Sequence, residues 1–381
     1  MRQRNQNTPF GSLTKIFTPL DAPMMFVLLL IALISTVTMW SAASDMPSRF
    51  DSHVRNMLVG FSVMLVFAYI PPKRLMQAAP FVYGLGIALL VAVALFGQTK
   101  LGAKRWLNVG INIQPSELLK IAVPMMLALY FHNIGDLRHR RASHVFGIAA
   151  LLLLVPFGLI AKQPDLGTAI LVVLAGSFVI FFAGLPWRMV IGLVAGGIIL
   201  ITLVLSLIHT SFASDVLHLK PYQIKRIEVL LDPTADPRGA GFHILQAETA
   251  IGSGGWLGKG WQQGTQTHLQ FIPERSTDFL IAVFAEEFGL LGVLLLLMLY
   301  FVLILRGLSI AHNASTKFER LLAGAISMIL FAYVFVNMGM VAGLLPVVGV
   351  PLPFMSYGGT ALITLGVGCG MLMSVRHHRI R

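Results

Sequence analysis

The chain has 381 residues, 56% of them hydrophobic and only 12% charged, with a formal net charge of +12. A soluble core does not need that much apolar surface, and the long, non-alternating apolar runs exclude a β-barrel. The basic excess does not require nucleic acid, because lysines and arginines retained beside anionic lipid on the cytoplasmic side give the same balance.

Spanning a bilayer takes about 20 apolar residues. Ten segments qualify, at approximately 22–42, 55–71, 78–97, 114–132, 145–162, 165–185, 188–209, 279–306, 318–345 and 355–375. The first run is full length and lacks a small-residue cleavage site, so no cleavable signal peptide is expected. AKQPDLG separates the fifth and sixth runs and LPW the sixth and seventh, turns short enough to make neighbours antiparallel. The expected fold is an all-α polytopic membrane protein, a single domain over 1–381. It has about ten transmembrane helices and one long extracytoplasmic loop, 210–277, between helices 7 and 8. Cys369, the one cysteine, lies inside an apolar run, so neither an internal disulfide nor a cysteine metal site is expected.

Orientation follows from the basic residues. With a cytoplasmic N-terminus, the inner segments hold Arg2, Arg4, Lys15, Arg138, Arg140, Arg141, Arg188, Arg306, Lys317, Arg320, Arg376 and Arg379, among others. The short outer loops hold fewer: Arg49, Arg55, Lys100, Lys104, Arg105 and Lys162. Both termini are therefore expected inside and the long loop outside. Within that loop YQIKRIEVLL places Ile224, Ile227, Leu230 and Leu231 on one helical face, as in a helix resting on the headgroup boundary. GSGGWLGKGWQQGT is neither a Walker loop nor a dinucleotide fingerprint: Ser253, Gly260 and Leu257 stand where glycine, a hydroxyl residue and glycine are required. It reads either as a flexible turn with Trp256 and Trp261 at the interface or as a loop shaping a substrate groove.

Ionisable residues inside spans are costly and are functional candidates by default. Glu117 and Lys120 open the fourth span at i, i+3 and share a helical face. They are either a structural ion pair or a pair facing a polar cavity, with Lys120 available to a phosphate. Asp165 follows a proline at a helix start, the place of a cap. Of Glu286 and Glu287 only Glu286 comes near the side of Asp278, about 12 Å deeper at the helical rise, and the two are read as structural. Asp278 ends FIPERSTDFL, at the mouth of the eighth span. A cap reading, with Ser276 or Thr277 as alternatives, competes with a functional one in which the helix end keeps the acid ionised. Between spans nine and ten, Pro346, Pro351 and Pro353 prevent a continuous helix, a break tolerated only where protein or water surrounds it. Gly192/Gly196, Gly339/Gly343 and Gly366/Gly370 are spaced for helix contact.

QPSELLKIAVP, AKQPDLGTAILV, LLDPTADPRGAGFHILQAETAIGSGGWLGKGW, FIPERSTDFLIAVFAEEFGLLG and LLPVVGVPLPFMSYGG together resemble the SEDS proteins of bacterial cell-wall synthesis over nearly the whole chain. QPDLGT and PVVGVPLP are nearer the elongation type, RodA, than the division type, FtsW. One departure is Ser276, where the family usually has His. The resemblance implies a peptidoglycan glycosyltransferase that polymerises lipid II at the outer face of the cytoplasmic membrane in cell elongation and shape maintenance. It also implies a class B penicillin-binding protein transpeptidase as partner, other elongation-complex membrane proteins, and help from a divalent cation (magnesium or manganese). The family's essential acid falls on Asp278 and its buried acid–base pair on Glu117 and Lys120. Glycosyl transfer from a polyprenyl diphosphate needs a base for the acceptor hydroxyl and positive charge for the leaving diphosphate. Asp278 is the expected base or metal-binding acid; Arg55, Lys100, Lys104 and Arg105 are candidate diphosphate ligands, with Lys120 deeper. A lipid II flippase and a non-catalytic scaffold for the transpeptidase are the rival readings.

Overall fold

The computed structural model describes residues 18–100, 103–108, 112–135, 141–163, 165–207, 221–236, 239–269, 271–272 and 274–379. Among the described residues ten long helices follow one another in the order the apolar runs predict: α1 (Ala22–Ala42), α2 (Pro47–Tyr69), α3 (Pro72–Phe96), α4 (Pro115–Ile134), α5 (Ala142–Lys162), α6 (Leu166–Phe182), α7 (Trp187–Leu207), then α11 (Leu280–His312), α12 (Lys317–Val341) and α13 (Gly359–His377). Between α7 and α11 lie α8 (Pro221–Leu231), α9 (Ala240–Gly254) and the single turn α10 (Thr265–His268). Among the described residues seven helices are long and apolar enough to cross a membrane by length and composition. The chain is a multi-pass membrane protein.

Two local features were not expected. Strands β1 (Gln98–Lys100), β2 (Ala103–Asn108) and β3 (Asn112–Ile113) form a small antiparallel sheet between α3 and α4. Helix α2 starts at Pro47, well before the apolar run begins, because proline suits a first turn and polar residues can continue a helix beyond hydrocarbon. Arg49, His53 and Arg55 are thereby helical.

Helix α12 is the centre of the bundle, 78% of its apolar window being buried against 22% for α3. Its start carries a capping box, Thr316 and Glu319 each bonding the other's backbone. The three glycine spacings have different outcomes. Gly366 and Gly370 place α13 directly against the backbone of α2 at Gly60 and Met64, where no Cβ would fit. Gly339 and Gly343 meet the side chains of Leu345 and Glu248 instead, while Gly192 and Gly196 face open space on α7. In the segment between α7 and α11, Val229 is buried and Leu231 exposed, so the apolar side of α8 differs from the expected one.

The glycine-rich stretch after α9 is a fitted piece. Helix α11 breaks at Gly289, whose φ of 65° is left-handed. The loop enters that break: Lys259 and Gly260 donate backbone hydrogen bonds to the carbonyls of Glu286 and Glu287 (both 3.0 Å), while Leu290 and Leu291 donate to Gly255 and Trp256 (2.9 and 3.2 Å). The interrupted helical ladder is completed by the loop, which is what hydrocarbon demands of a broken helix. A Cβ on Gly289 would collide with the Gly258 amide. Gly289→Ala is therefore expected to lose about 1–3 kcal/mol, and Gly192→Ala, with nothing near its Cβ, to stay within about 0.5 kcal/mol. Thermal unfolding in detergent, followed by tryptophan fluorescence, checks both.

Candidate functional site

The segment around Asp278 is pinned residue by residue. Arg275 is buried; its Nε donates to the Ala42 carbonyl (2.8 Å), Nη1 to Thr267 O (3.2 Å) and Nη2 to Asp45, tying the loop to the end of α1. Ser276 accepts from Nη1 of Arg49 (2.8 Å), and its carbonyl accepts from the Tyr357 amide (3.0 Å). The Arg49 guanidinium lies 5.2 Å from the Tyr357 ring centroid. Thr277 donates to Glu274 Oε2 (2.7 Å). The Asp278 carbonyl accepts from the Asn337 amide (2.9 Å), which also donates to Val350 O (2.7 Å). One buried side chain of α12 thus joins the acid's loop to the proline-rich loop before α13.

The Asp278 carboxylate is no helix cap. Helix α11 begins at Leu280 with Phe279 in the cap position and no side-chain cap bond, which also removes Ser276 and Thr277 as alternatives. Nor does the helix end hold the acid strongly ionised. Asp278 is half-buried with Oδ2 close to Gly349, and burial, followed by the nearby Glu274 carboxylate, pushes its pKa up to about 6.

The other buried acids are matched. Glu117 accepts from Lys120 Nζ at 2.6 Å. Glu286 accepts from Lys259 Nζ (2.7 Å), Thr265 Oγ1 (3.0 Å) and the Gln266 amide (3.1 Å), and Glu287 accepts from Ser41, as a structural pair should. Asp165 caps α6 through the Thr168 amide (3.3 Å), accepts from Gln114 (2.8 Å) and lies 3.8 Å from Arg105. Among the described residues Asp278 has no cation within ion-pair distance. An acid left half-buried and unmatched is poised to exchange a proton near neutral pH.

The expected cation set is only partly gathered. Arg105 is engaged at Asp165. Arg55 is exposed on α2 and donates to Ser52 (3.3 Å). The side chains of Lys100 and Lys104 lie outside the described residues. Lys120, 2% exposed, donates to Glu117 and to the Tyr333 hydroxyl (2.7 Å), so its ammonium is committed between helices rather than open to a phosphate at the surface. Gln114 and Glu117 line an almost wholly apolar cavity of about 610 Å³ between α2, α3, α4 and α13, with Phe67, Leu75, Ile121 and Val367. A second apolar cavity of about 340 Å³, between α6 and α12, ends on Leu345, Pro346 and Val348, next to Gly349, where an added Cβ would meet Asp278 Oδ2. Arg49, Tyr357 and Asn337 were not singled out from sequence. Arg49 lies in an ordinary basic stretch, and no local pattern marks Asn337 as the tie between two loops.

Removing one partner of a buried pair leaves the other charged and unmatched. Lys120→Met is expected to cost about 3–5 kcal/mol, and adding Glu117→Gln to recover part of it. Thermal unfolding of the two single variants and the double in detergent measures the coupling.

Residues 16–381 match the family of cell cycle proteins comprising FtsW, RodA and SpoVE. The peptidoglycan glycosyltransferase MrdB of Escherichia coli K12 is 47% identical over 361 residues, covering 94% of each chain. A chain from a peptidoglycan synthase complex, solved for how polymerization and crosslinking are coordinated, superposes with a TM-score of 0.80 at 32% identity, over 95% of this chain and 98% of that one. The rod shape determining protein RodA of Thermus thermophilus superposes with a TM-score of 0.69 at 27% identity, with the same coverage. With its helix order and these similarities in agreement, the chain belongs to the FtsW/RodA/SpoVE family and is of the RodA type.

Proposed function

We propose that this protein is a peptidoglycan glycosyltransferase that polymerises lipid II for cell elongation, with Asp278 as general base at the extracytoplasmic face of the cytoplasmic membrane. The observation that carries the reading is the half-buried Asp278 carboxylate, without a cation partner among the described residues and with a pKa of about 6. A base must be ionised at working pH yet hold a proton well enough to take it from a hydroxyl, and a value near neutrality serves both needs.

In the proposed step, Asp278 removes the proton from the acceptor sugar's 4-hydroxyl as that oxygen attacks the donor's anomeric carbon. The new glycosidic bond forms opposite the bond to diphosphate, which breaks with inversion from α to β. Diphosphate departs as an anion and needs no general acid. The fixed position of the Asp278 backbone, tied through Asn337, lets the carboxylate meet the hydroxyl without a search. The two apolar cavities have the chemistry for polyprenyl tails, and the one ending at Leu345–Val348 leads toward Asp278. Arg49 and Arg55 stand on the same helix at that end, Arg55 exposed to an incoming diphosphate.

A magnesium or manganese ion fits as one shared with the substrate. The described residues contain no group of three or more His, Cys, Asp or Glu that could hold a metal, whereas Asp278 and Glu274 offer carboxylate oxygens that such ions accept together with phosphate oxygens. Bound there, the ion would supply positive charge to the leaving diphosphate. A crosslinking transpeptidase is the partner this reading requires, in keeping with the synthase complex of the related chain.

The deciding assay is polymerisation of labelled lipid II by the purified protein with its transpeptidase partner, the partner's own active site being blocked. Long glycan chains are expected from wild type and at least about a hundredfold less from Asp278→Asn, the scale of a lost general base. No chains from wild type, with lipid II crossing vesicle membranes, would replace the enzyme with the flippase. Chains from both would remove Asp278 from the centre. The pH profile is a separate check. Because the ionised form acts and its pKa lies above the ordinary 3.8, the initial rate should fall as pH drops through about 6. An acid limb near 4 instead would show a carboxylate free of the burial seen here.

A further inference from the structure

At the membrane boundary opposite Asp278, three chain segments converge. Asp21 caps the start of α1; Arg306 lies near the end of α11, about 39 Å from Leu280 at the helical rise; and Arg376, His377 and Arg379 close α13. The hydrocarbon core is about 30 Å thick, which puts this cluster at headgroup level. Asp21 is completely buried. Its Oδ1 accepts from the Met24 amide (2.9 Å) and Arg306 Nε (3.1 Å), and its Oδ2 from Arg306 Nη2 and Arg376 Nε (both 2.7 Å). One carboxylate, already accepting four bonds, therefore faces two guanidiniums, with a third on Arg379 close by.

Beside this cluster is a cavity of about 460 Å³ lined by Thr18, Pro19, Arg306, Arg376, His377 and Arg379, with no acid among the lining residues. A smaller cavity of about 90 Å³ shares the three arginines and adds Ser309 and Asn313. The arrangement is built rather than a loose surface patch: Asp21 holds Arg306 through Nε and Nη2 and Arg376 through Nε, Nη1 of Arg376 reaches the Leu20 carbonyl (3.5 Å), and Arg376 and Arg379 are exposed beside the cavity. Guanidiniums gathered around one cavity match phosphate oxygens. The helices leaving the cavity carry exposed apolar side chains, Leu29 and Leu33 on α1 and Phe301 and Leu305 on α11, as acyl chains beside a bound headgroup require.

We propose that this cavity binds the phosphate headgroup of an anionic phospholipid in the leaflet opposite Asp278. Position decides for lipid over free phosphate, since the guanidiniums sit at headgroup depth above apolar helix faces.

Native mass spectrometry of the full chain in detergent, titrated with phosphatidylglycerol or phosphatidylcholine, tests the site without reference to catalysis. Phosphatidylglycerol should be retained in preference. Retention should fall about fivefold in Arg379→Gln and about twenty-five-fold in Arg376→Gln/Arg379→Gln. Arg379 makes no contact with Asp21, so its variant keeps the Asp21 cluster. Arg188→Gln, a change of exposed charge on α7, should leave retention as in wild type. Equal retention of the two lipids, or no loss in Arg379→Gln, would overturn the proposal. So would displacement of bound lipid by millimolar inorganic phosphate, which would make the cavity a site for free anions.

Discussion

A backbone that leaves helical geometry inside a membrane protein must find partners for its amides and carbonyls within the protein, and the segment before α13 shows how the fold is organised around that requirement. Pro346, Pro351 and Pro353 bar a helix, so side chains from elsewhere complete the hydrogen bonding. Asn337 donates to Val350 O, Tyr300 to Pro353 O (2.6 Å), Ser35 to Met355 O (2.7 Å), and Ser356 accepts from the Leu352 amide (3.0 Å). These partners come from α1, α11, α12 and the loop itself, so the irregular segment fastens three helices. Asp278 lies where this segment meets the start of α11, and its burial is a product of the same packing.

Charge is handled by the same economy. Burying an ion without a partner is costly, and the fold answers with a matching cation or donor for Asp21, Asp165, Glu117, Glu286 and Glu287. Asp278 departs from that pattern. Arg275 and Arg49, near it in the fold, bond instead to Ala42, Asp45 and Thr267 and to Ser276. Arginine in this loop builds the scaffold and leaves the acid unneutralised, which keeps its proton affinity near the range a base requires. Ser276 is held by Arg49, so this position serves the scaffold beside the acid.

Glycine serves this fold in two distinct ways. At Gly366 and Gly370 the absence of a side chain lets α13 lie against α2, gaining contact where no hydrophobic effect drives helices together. At Gly289 it permits a left-handed residue in a spanning helix, and the loop around Gly258 enters the break. That loop also delivers Lys259 to Glu286, so one interruption fixes both the segment between α7 and α11 and the neutralisation of a buried acid.

What the sequence determined by itself is what depends on local composition. Runs of apolar residues long enough to span located the ten helices, the i, i+3 spacing paired Glu117 with Lys120, and the position of Asp165 after a proline marked it as a cap. Asp278 was visible as an acid at a helix mouth, but its state was not. Its environment is made by Asn337, Gly349 and Val350, some sixty to seventy positions away, and no short window contains them. The same holds for Arg49 with Ser276, for Lys120 with Tyr333 and for the loop in the α11 break. Each is a contact between elements, chosen by how the helices pack. Periodicity and propensity state which face of a helix is apolar, and only the tertiary structure decides which polar group that face meets and which acid is left without a partner.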